Sequence, residues 1–314
     1  MKYIFGVDVG GTTVKLGFFD QSGKLLSKWE IPTNKDNDGA QILPDIAASV
    51  QSKIEKEGLT EGDIIGLGIG LPGPVDSEGV IRKAVNLNWK STFSVPEAVQ
   101  KHLNVPVKAS NDANVAALGE MWKGGGEGLS NIIVVTLGTG IGGGVILNGS
   151  VWSGPFGSGG EIGHMHIEDD ETLVCTCGNY GCLEQYASAT GLVRLAERYF
   201  EHHDPAGEFK EMLAMQPLSA KLVFDLVKMG DPQAKVIAEQ FGQKLGKGLA
   251  AAACVVNPEA FVIGGGVSKA GEILFDYIRP WFRKYAFHAC ADVEFRLATL
   301  GNDAGIYGAA KLVL

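Results

Sequence analysis

Apolar positions along this chain change their period several times, and each change marks an element. Ile4, Phe5, Val7 and Val9 form a short apolar run, the turn Gly10, Gly11, Thr12, Thr13 breaks it, and Val14, Leu16, Phe18 and Phe19 resume it. The pattern predicts strand, glycine-rich turn and strand, closed by a polar turn at Asp20, Gln21, Ser22 and Gly23. Shifted by 128 positions, the same pattern returns: an apolar run over 132–137, then Gly138, Thr139 and Gly140, then 142–147 and a turn at Asn148 and Gly149. Gly10 falls on Gly138 and Asp20 on Asn148 without a gap, so two hairpins of equal length predict an internal duplication.

Between the hairpins, Ile42, Ile46, Val50 and Ile54 recur every four residues and predict a helix ending near Gly58. Residues 63–71 read as a buried strand before Pro72, Gly73 and Pro74, and 105–109 as another short strand. Asp112 stands where it would cap a helix over 113–122. Helical spacing covers 187–200, 218–229, 233–256 and 272–282, a strand covers 260–263, and Gly301, Asn302 and Asp303 open a last helix. Alternating strands and helices predict an α/β plan.

The chain has 314 residues, 45% hydrophobic and 20% charged, enough for a full core divided into two lobes. A net charge of −9 argues against nucleic-acid binding, which rests on lysines and arginines facing phosphates. No apolar run approaches the roughly 18 residues needed to span a bilayer. Asp8, so near the start, interrupts a signal-peptide core, and the expectation is a cytoplasmic protein without a membrane partner.

Cys175, Cys177 and Cys182 fall within eight positions, with Glu161 and His164 just upstream. Thiolates at that spacing, joined by one imidazole, fit a structural zinc held by His164, Cys175, Cys177 and Cys182. Disulfides are the alternative, and they need an oxidising compartment for which nothing else in the sequence speaks. Cys254 and Cys290 read as buried small hydrophobes.

The stretch Asp8, Val9, Gly10, Gly11, Thr12, Thr13, Val14, Lys15 joins a strand-end carboxylate to backbone N–H groups and hydroxyls, which suits a phosphate cradle. No helix follows at once, so it is not a dinucleotide fingerprint. Its counterpart Gly138, Thr139, Gly140 lacks a carboxylate, because Thr136 stands where Asp8 would, and one Mg²⁺ near Asp8 fits that count. Asn111 and Asp112 at a strand end read equally as ligands or as a helix cap, and Glu161 with His164 reads as a binding pair or as surface groups.

DVGGTTVK, SNDAN, LGTGIGGG, EIGH, the CxCGxxGCxE segment and IGGGVS, in this order, resemble the ROK family of sugar kinases and sugar-responsive repressors. The resemblance runs from Asp8 to the closing GNDAGIYGAA. It implies an α/β, two-lobed, actin- and hexokinase-like ATPase fold with ATP and sugar in a central cleft and a structural zinc site. The lobes would be 1–118, completed by the helix 302–314, and 119–301. It makes Asp112 the general base toward the sugar 6-hydroxyl. Asn111, Glu161, His164 and Glu184 would bind the ring hydroxyls. Asp8, Gly10, Gly11, Thr12, Thr13, Lys15, Gly138, Thr139 and Gly140 would hold the phosphates, and Gly264, Gly265 and Gly266 would face the adenosine.

CTCGNYGCLEQYASATG and NPEAFVIGGGVSKAGE are most similar to the bacterial glucokinases of the family. That implies ATP, Mg²⁺ and D-glucose, with N-acetylmannosamine, N-acetylglucosamine, mannose or fructose as alternative sugars, and a homo-oligomer. The repressors carry an added N-terminal DNA-binding domain, for which the eight residues up to Asp8 leave no room.

Overall fold

The structure, a computed structural model, describes residues 2–314. In chain order it forms β1 (Tyr3–Val9), β2 (Thr13–Asp20), β3 (Leu25–Pro32), the single turn α1 (Asp36–Gly39), α2 (Ile42–Lys56) and β4 (Ile64–Leu71). The short strands β5 (Val80–Ile81) and β6 (Phe93–Ser94) precede α3 (Val95–Gln100), β7 (Val107–Asn111) and α4 (Asp112–Lys123). Then come β8 (Ile132–Leu137), β9 (Ile141–Leu147), β10 (Ser150–Val151), α5 (Glu184–Ala187), α6 (Ala189–Phe200), α7 (Gly207–Met215), α8 (Ala220–Met229) and α9 (Pro232–Val256). The chain closes with β11 (Ala260–Gly264), α10 (Ile273–Tyr285), β12 (Glu294–Leu297) and α11 (Ala304–Leu312).

The duplication expected from the two hairpins extends to whole sheets. One has the order β3-β2-β1-β4-β7 and the other β10-β9-β8-β11-β12. In the first, β1 pairs antiparallel with β2, Asp8 facing Lys15, and parallel with β4. In the second, β8 pairs parallel with β11, which pairs parallel with β12. The parallel strands are joined by helical crossovers, as strand pairs of that sense require.

The chain divides into two compact units, one of residues through Ser130 with Gly144–Gly160 and Leu300–Leu314, the other of Asn131–Gly143 and Glu161–Thr299. The cut expected at 118 falls inside α4, which runs unbroken to Lys123. The first core collects the α2 stripe Ile42, Ile46, Val50 and Ile54, each at most 1% exposed, with Phe5, Val7, Leu67 and Ile69 from the sheet. Burial of each such side chain contributes about 1.5–3 kcal/mol. Helix α11 meets α4 backbone to backbone: a side chain at Gly308 would overlap the Val115 carbonyl. That contact is possible only because the position is glycine.

Cys290 is buried as expected, whereas Cys254 is exposed. The helical period of α9 turns Ala252 and Ala253 inward and Cys254 and Val255 out. Among the described residues no helix is long and apolar enough to cross a membrane.

Candidate active site and zinc-ligand cluster

In the first unit, β7 hands over to α4 at Asn111 and Asp112. Asn111 keeps an extended backbone, and its Oδ1 accepts from the Ala113 N–H at 2.9 Å and the Asn114 N–H at 3.3 Å. Its Nδ2 donates to the Gly73 carbonyl at 3.0 Å. Asn111 is therefore the N-cap, correcting the expectation that Asp112 caps this helix; such a cap stabilises by about 1 kcal/mol. Asp112 becomes the first helical residue, its Oδ1 2.8 Å from the Ala113 N–H, where the positive end of the helix dipole favours a carboxylate.

Asp8, at the end of β1, has its carboxyl raised to about 6 by burial first and by the charge of Asp112 second, with Lys15 opposing both. Lys15 stands across from Asp8 in the β1–β2 register and donates to the Asn302 carbonyl at 3.2 Å. The Gly10 N–H bonds the Thr13 carbonyl within the turn, and Thr33 braces it by donating to the Gly10 carbonyl at 2.7 Å and the Thr12 carbonyl at 3.0 Å. Gly10 thus shapes the turn.

In the second unit, the Gly138 N–H bonds the Gly140 carbonyl at 3.0 Å, and Ala189, the first residue of α6, donates to the Gly138 carbonyl at 2.8 Å. Gly265, at φ +85, sits against the Leu137 carbonyl, so the 264–266 turn lies beside the strand end that leads into Gly138. Gly140 backs onto the Glu184 carboxylate. Glu184 accepts from the Ile141 N–H at 3.3 Å and the Thr176 hydroxyl at 3.1 Å. A cavity of 450 Å³ opens here, lined by Thr139, Gly140, Cys175, Thr176, Glu184 and Arg194 among others.

Glu161 precedes a single 3-10 turn, Ile162–His164. His164 Nε2 lies 3.9 Å from Glu161 Oε2, and its Nδ1 lies 3.7 Å from both Cys175 Sγ and Glu184 Oε1. One ring nitrogen thus faces the cysteines and the other faces Glu161. The ligand atoms of His164, Cys175, Cys177 and Cys182 all lie within 4.8 Å of one another. Cys177 and Cys182 sulfurs are 3.6 Å apart, far beyond the roughly 2.05 Å of a disulfide, and all five cysteines are free. Zn–S bonds of about 2.3 Å in a tetrahedron put sulfurs about 3.8 Å apart. The set fits zinc, with Nδ1 as the histidine donor.

The pattern of residues did not disclose what braces this cluster. Glu171, its side chain 1% exposed, accepts from Tyr186 Oη at 2.5 Å, from Arg198 at 2.9 Å and from the Thr172 and Leu173 N–H groups. Burial pushes its carboxyl up, but those donors outweigh burial and hold it at about 2. Gln185 donates to the Leu173 carbonyl at 2.8 Å and accepts from the Cys182 N–H at 3.0 Å. Glu184 thus opens the short helix whose next two residues, Gln185 and Tyr186, are held by these bonds. A cavity of 740 Å³ beside β7 in the first unit includes none of the predicted site residues.

A family model described as "ROK family" matches residues 4–314. A glucokinase of Halalkalibacterium halodurans is 42% identical over 314 residues, covering 99% of this chain and 95% of that protein. A ROK hexokinase structure from Thermus thermophilus superposes with a TM-score of 0.79 at 33% identity, covering 98% of this chain and 96% of its own. A ROK glucokinase from Streptomyces griseus, in complex with glucose and AMPPNP, superposes with a TM-score of 0.74 at 35% identity, covering 99% and 98%.

Proposed function

Because this chain belongs to the ROK family, we propose that it is a glucokinase, transferring the γ-phosphoryl group of ATP to the 6-hydroxyl of D-glucose. The observation that carries the chemistry is the division of labour at the head of α4. Asn111 caps the helix, and Asp112 at its first position carries a carboxylate whose charge acts on Asp8. Asp112 takes the proton of the attacking hydroxyl as the phosphoryl group transfers. Glu161, His164 Nε2 and Glu184 accept from or donate to ring hydroxyls, a task for which polar groups at fixed positions are suited. Asn111 has one Nδ2 hydrogen left for the sugar after bonding Gly73.

Phosphoryl transfer asks mainly for alignment and charge stabilisation. The Gly11 and Thr12 amides with Lys15, and the Gly138, Thr139 and Gly140 turn, bind phosphate oxygens, while Gly264, Gly265 and Gly266 border the nucleoside. Asp8 would hold Mg²⁺, which when bound neutralises charge on the phosphates. His164, Cys175, Cys177 and Cys182 would hold a structural zinc, keeping Glu161, His164 and Glu184 in one rigid group.

Glucose is favoured by the likeness to glucokinases and by a set of acceptors suited to free hydroxyls. An N-acetyl substituent would strand one of them, and sites built around a hydroxyl reject analogues lacking it by up to about 10⁴-fold. ADP release measured over glucose, N-acetylmannosamine, N-acetylglucosamine, mannose and fructose tests this. The expected result is the highest kcat/KM for glucose. A ratio of glucose to N-acetylmannosamine below one would keep the kinase and overturn the sugar.

A further inference from the structure

Glu120 is almost completely buried, at 2% exposure, two turns along the helix that begins with Asp112. Carboxylates are rarely buried unless their charge is met. Its Oε2 accepts from the Gly125 N–H at 2.9 Å and its Oε1 from the Leu300 N–H at 2.9 Å, across 180 positions of sequence. Leu300 opens the 3-10 turn Gly301–Asp303, which leads into α11.

That turn and the start of α11 touch the phosphate-side groups of the first hairpin at two separate points. The Asn302 carbonyl accepts from Lys15 Nζ at 3.2 Å. Gly305 lies so close to Asp8 that a Cβ there would stand 2.6 Å from Asp8 Oδ2. Asp303 adds an ion pair to Lys28 on β3 at 2.6 Å. One buried carboxylate therefore links the helix that carries Asp112 to the segment against which Asp8 and Lys15 rest.

We propose that Glu120 is a positioning residue of the kinase: by fixing the 300–305 segment, the turn and the start of α11, to α4, it sets Asp8 and Lys15 relative to Asp112. This rests on the kinase reading above. Transfer in line needs base and phosphate-side groups registered to a fraction of an ångström, and a misplacement of 1 Å can cost about 10²-fold. Charge explains why the residue is Glu. A carboxylate accepts from both N–H groups, whereas the amide of glutamine has one acceptor and would set a donor against the other.

The test uses the full chain and two variants that disturb opposite ends of the link, Glu120→Gln and Gly305→Ala. For each, the Kd of Mg·ATP without sugar is measured by calorimetry, together with kcat, KM and thermal unfolding. The expected result is a folded protein with kcat down about 10-fold or more and weaker Mg·ATP binding. Adding Glu120→Gln to Asp8→Asn should weaken Mg·ATP binding little further, because both act through one element.

If both variants are folded and keep wild-type kcat and Mg·ATP affinity, the proposal is overturned. It is equally overturned if Glu120→Gln only lowers thermal stability, with unchanged kinetics below its transition, or if its effect adds in full to that of Asp8→Asn. Failure of the kinase reading shows separately, as wild-type protein that phosphorylates no sugar; the Mg·ATP affinities still decide the role of Glu120.

Discussion

Replacing Glu171 by Gln tests how firmly the zinc-ligand loop is braced, because this carboxylate ties the stretch before Cys175 to Tyr186 and Arg198. Its carboxyl sits at about 2 instead of the ordinary 4.5, a gap of about 2.5 pH units. At about 1.36 kcal/mol per unit that gap is worth about 3 kcal/mol, and the side chain is too buried for solvent to screen it away. A folded-state pKa below the unfolded one means stability that is fully present above pH 4.5. It is lost as pH falls from there toward 2, where the native carboxylate finally protonates.

The amide loses this charge and sets its own N–H against donors, so Glu171→Gln should cost about 3–5 kcal/mol at pH 7. Urea unfolding of both proteins at pH 7, then at steps down to pH 2.5, measures it, and the difference between them should shrink by most of its charge-dependent part across that range. Excess chelator throughout keeps metal release out of the comparison. A loss under 1 kcal/mol at pH 7, or parallel pH profiles, would refute the reasoning.

Asp112→Asn should lower kcat about 10²-fold or more with sugar affinity little changed, since Asn111 still caps α4 and the shape is kept. Near wild-type turnover across pH would leave Asp112 without a catalytic part. Metal analysis of reduced protein should find about one zinc per chain, and chelation should weaken sugar binding together with stability. Full sugar affinity in zinc-free protein would remove the link between the cluster and Glu161, His164 and Glu184.

Much of this protein was written locally. The α2 stripe, the two hairpins 128 positions apart and the cysteine spacing were legible because each depends on neighbours a few residues away: helical period, strand alternation, or ligands within eight positions. The alternation of β3, with Trp29 and Ile31 on one face, was also present but weak, because an edge strand ending at Pro32 buries little. The short β12 and α7 carry too few periodic positions to stand out.

Tertiary structure decided the rest, by bringing together groups whose sequence separation carries no pattern. Asn and Asp are equally good caps on paper; Asn111 has the role because its backbone leaves β7 extended and its amide meets Gly73. Likewise Glu120 and Leu300 lie 180 residues apart, and the contact of Gly305 with Asp8 exists only because α11 returns to pack on α4 and β1. Local periodicity sets where helices and strands form. The partner of a buried carboxylate is set by which distant backbone N–H groups the packed chain leaves beside it, since a buried charge must be met where it lies.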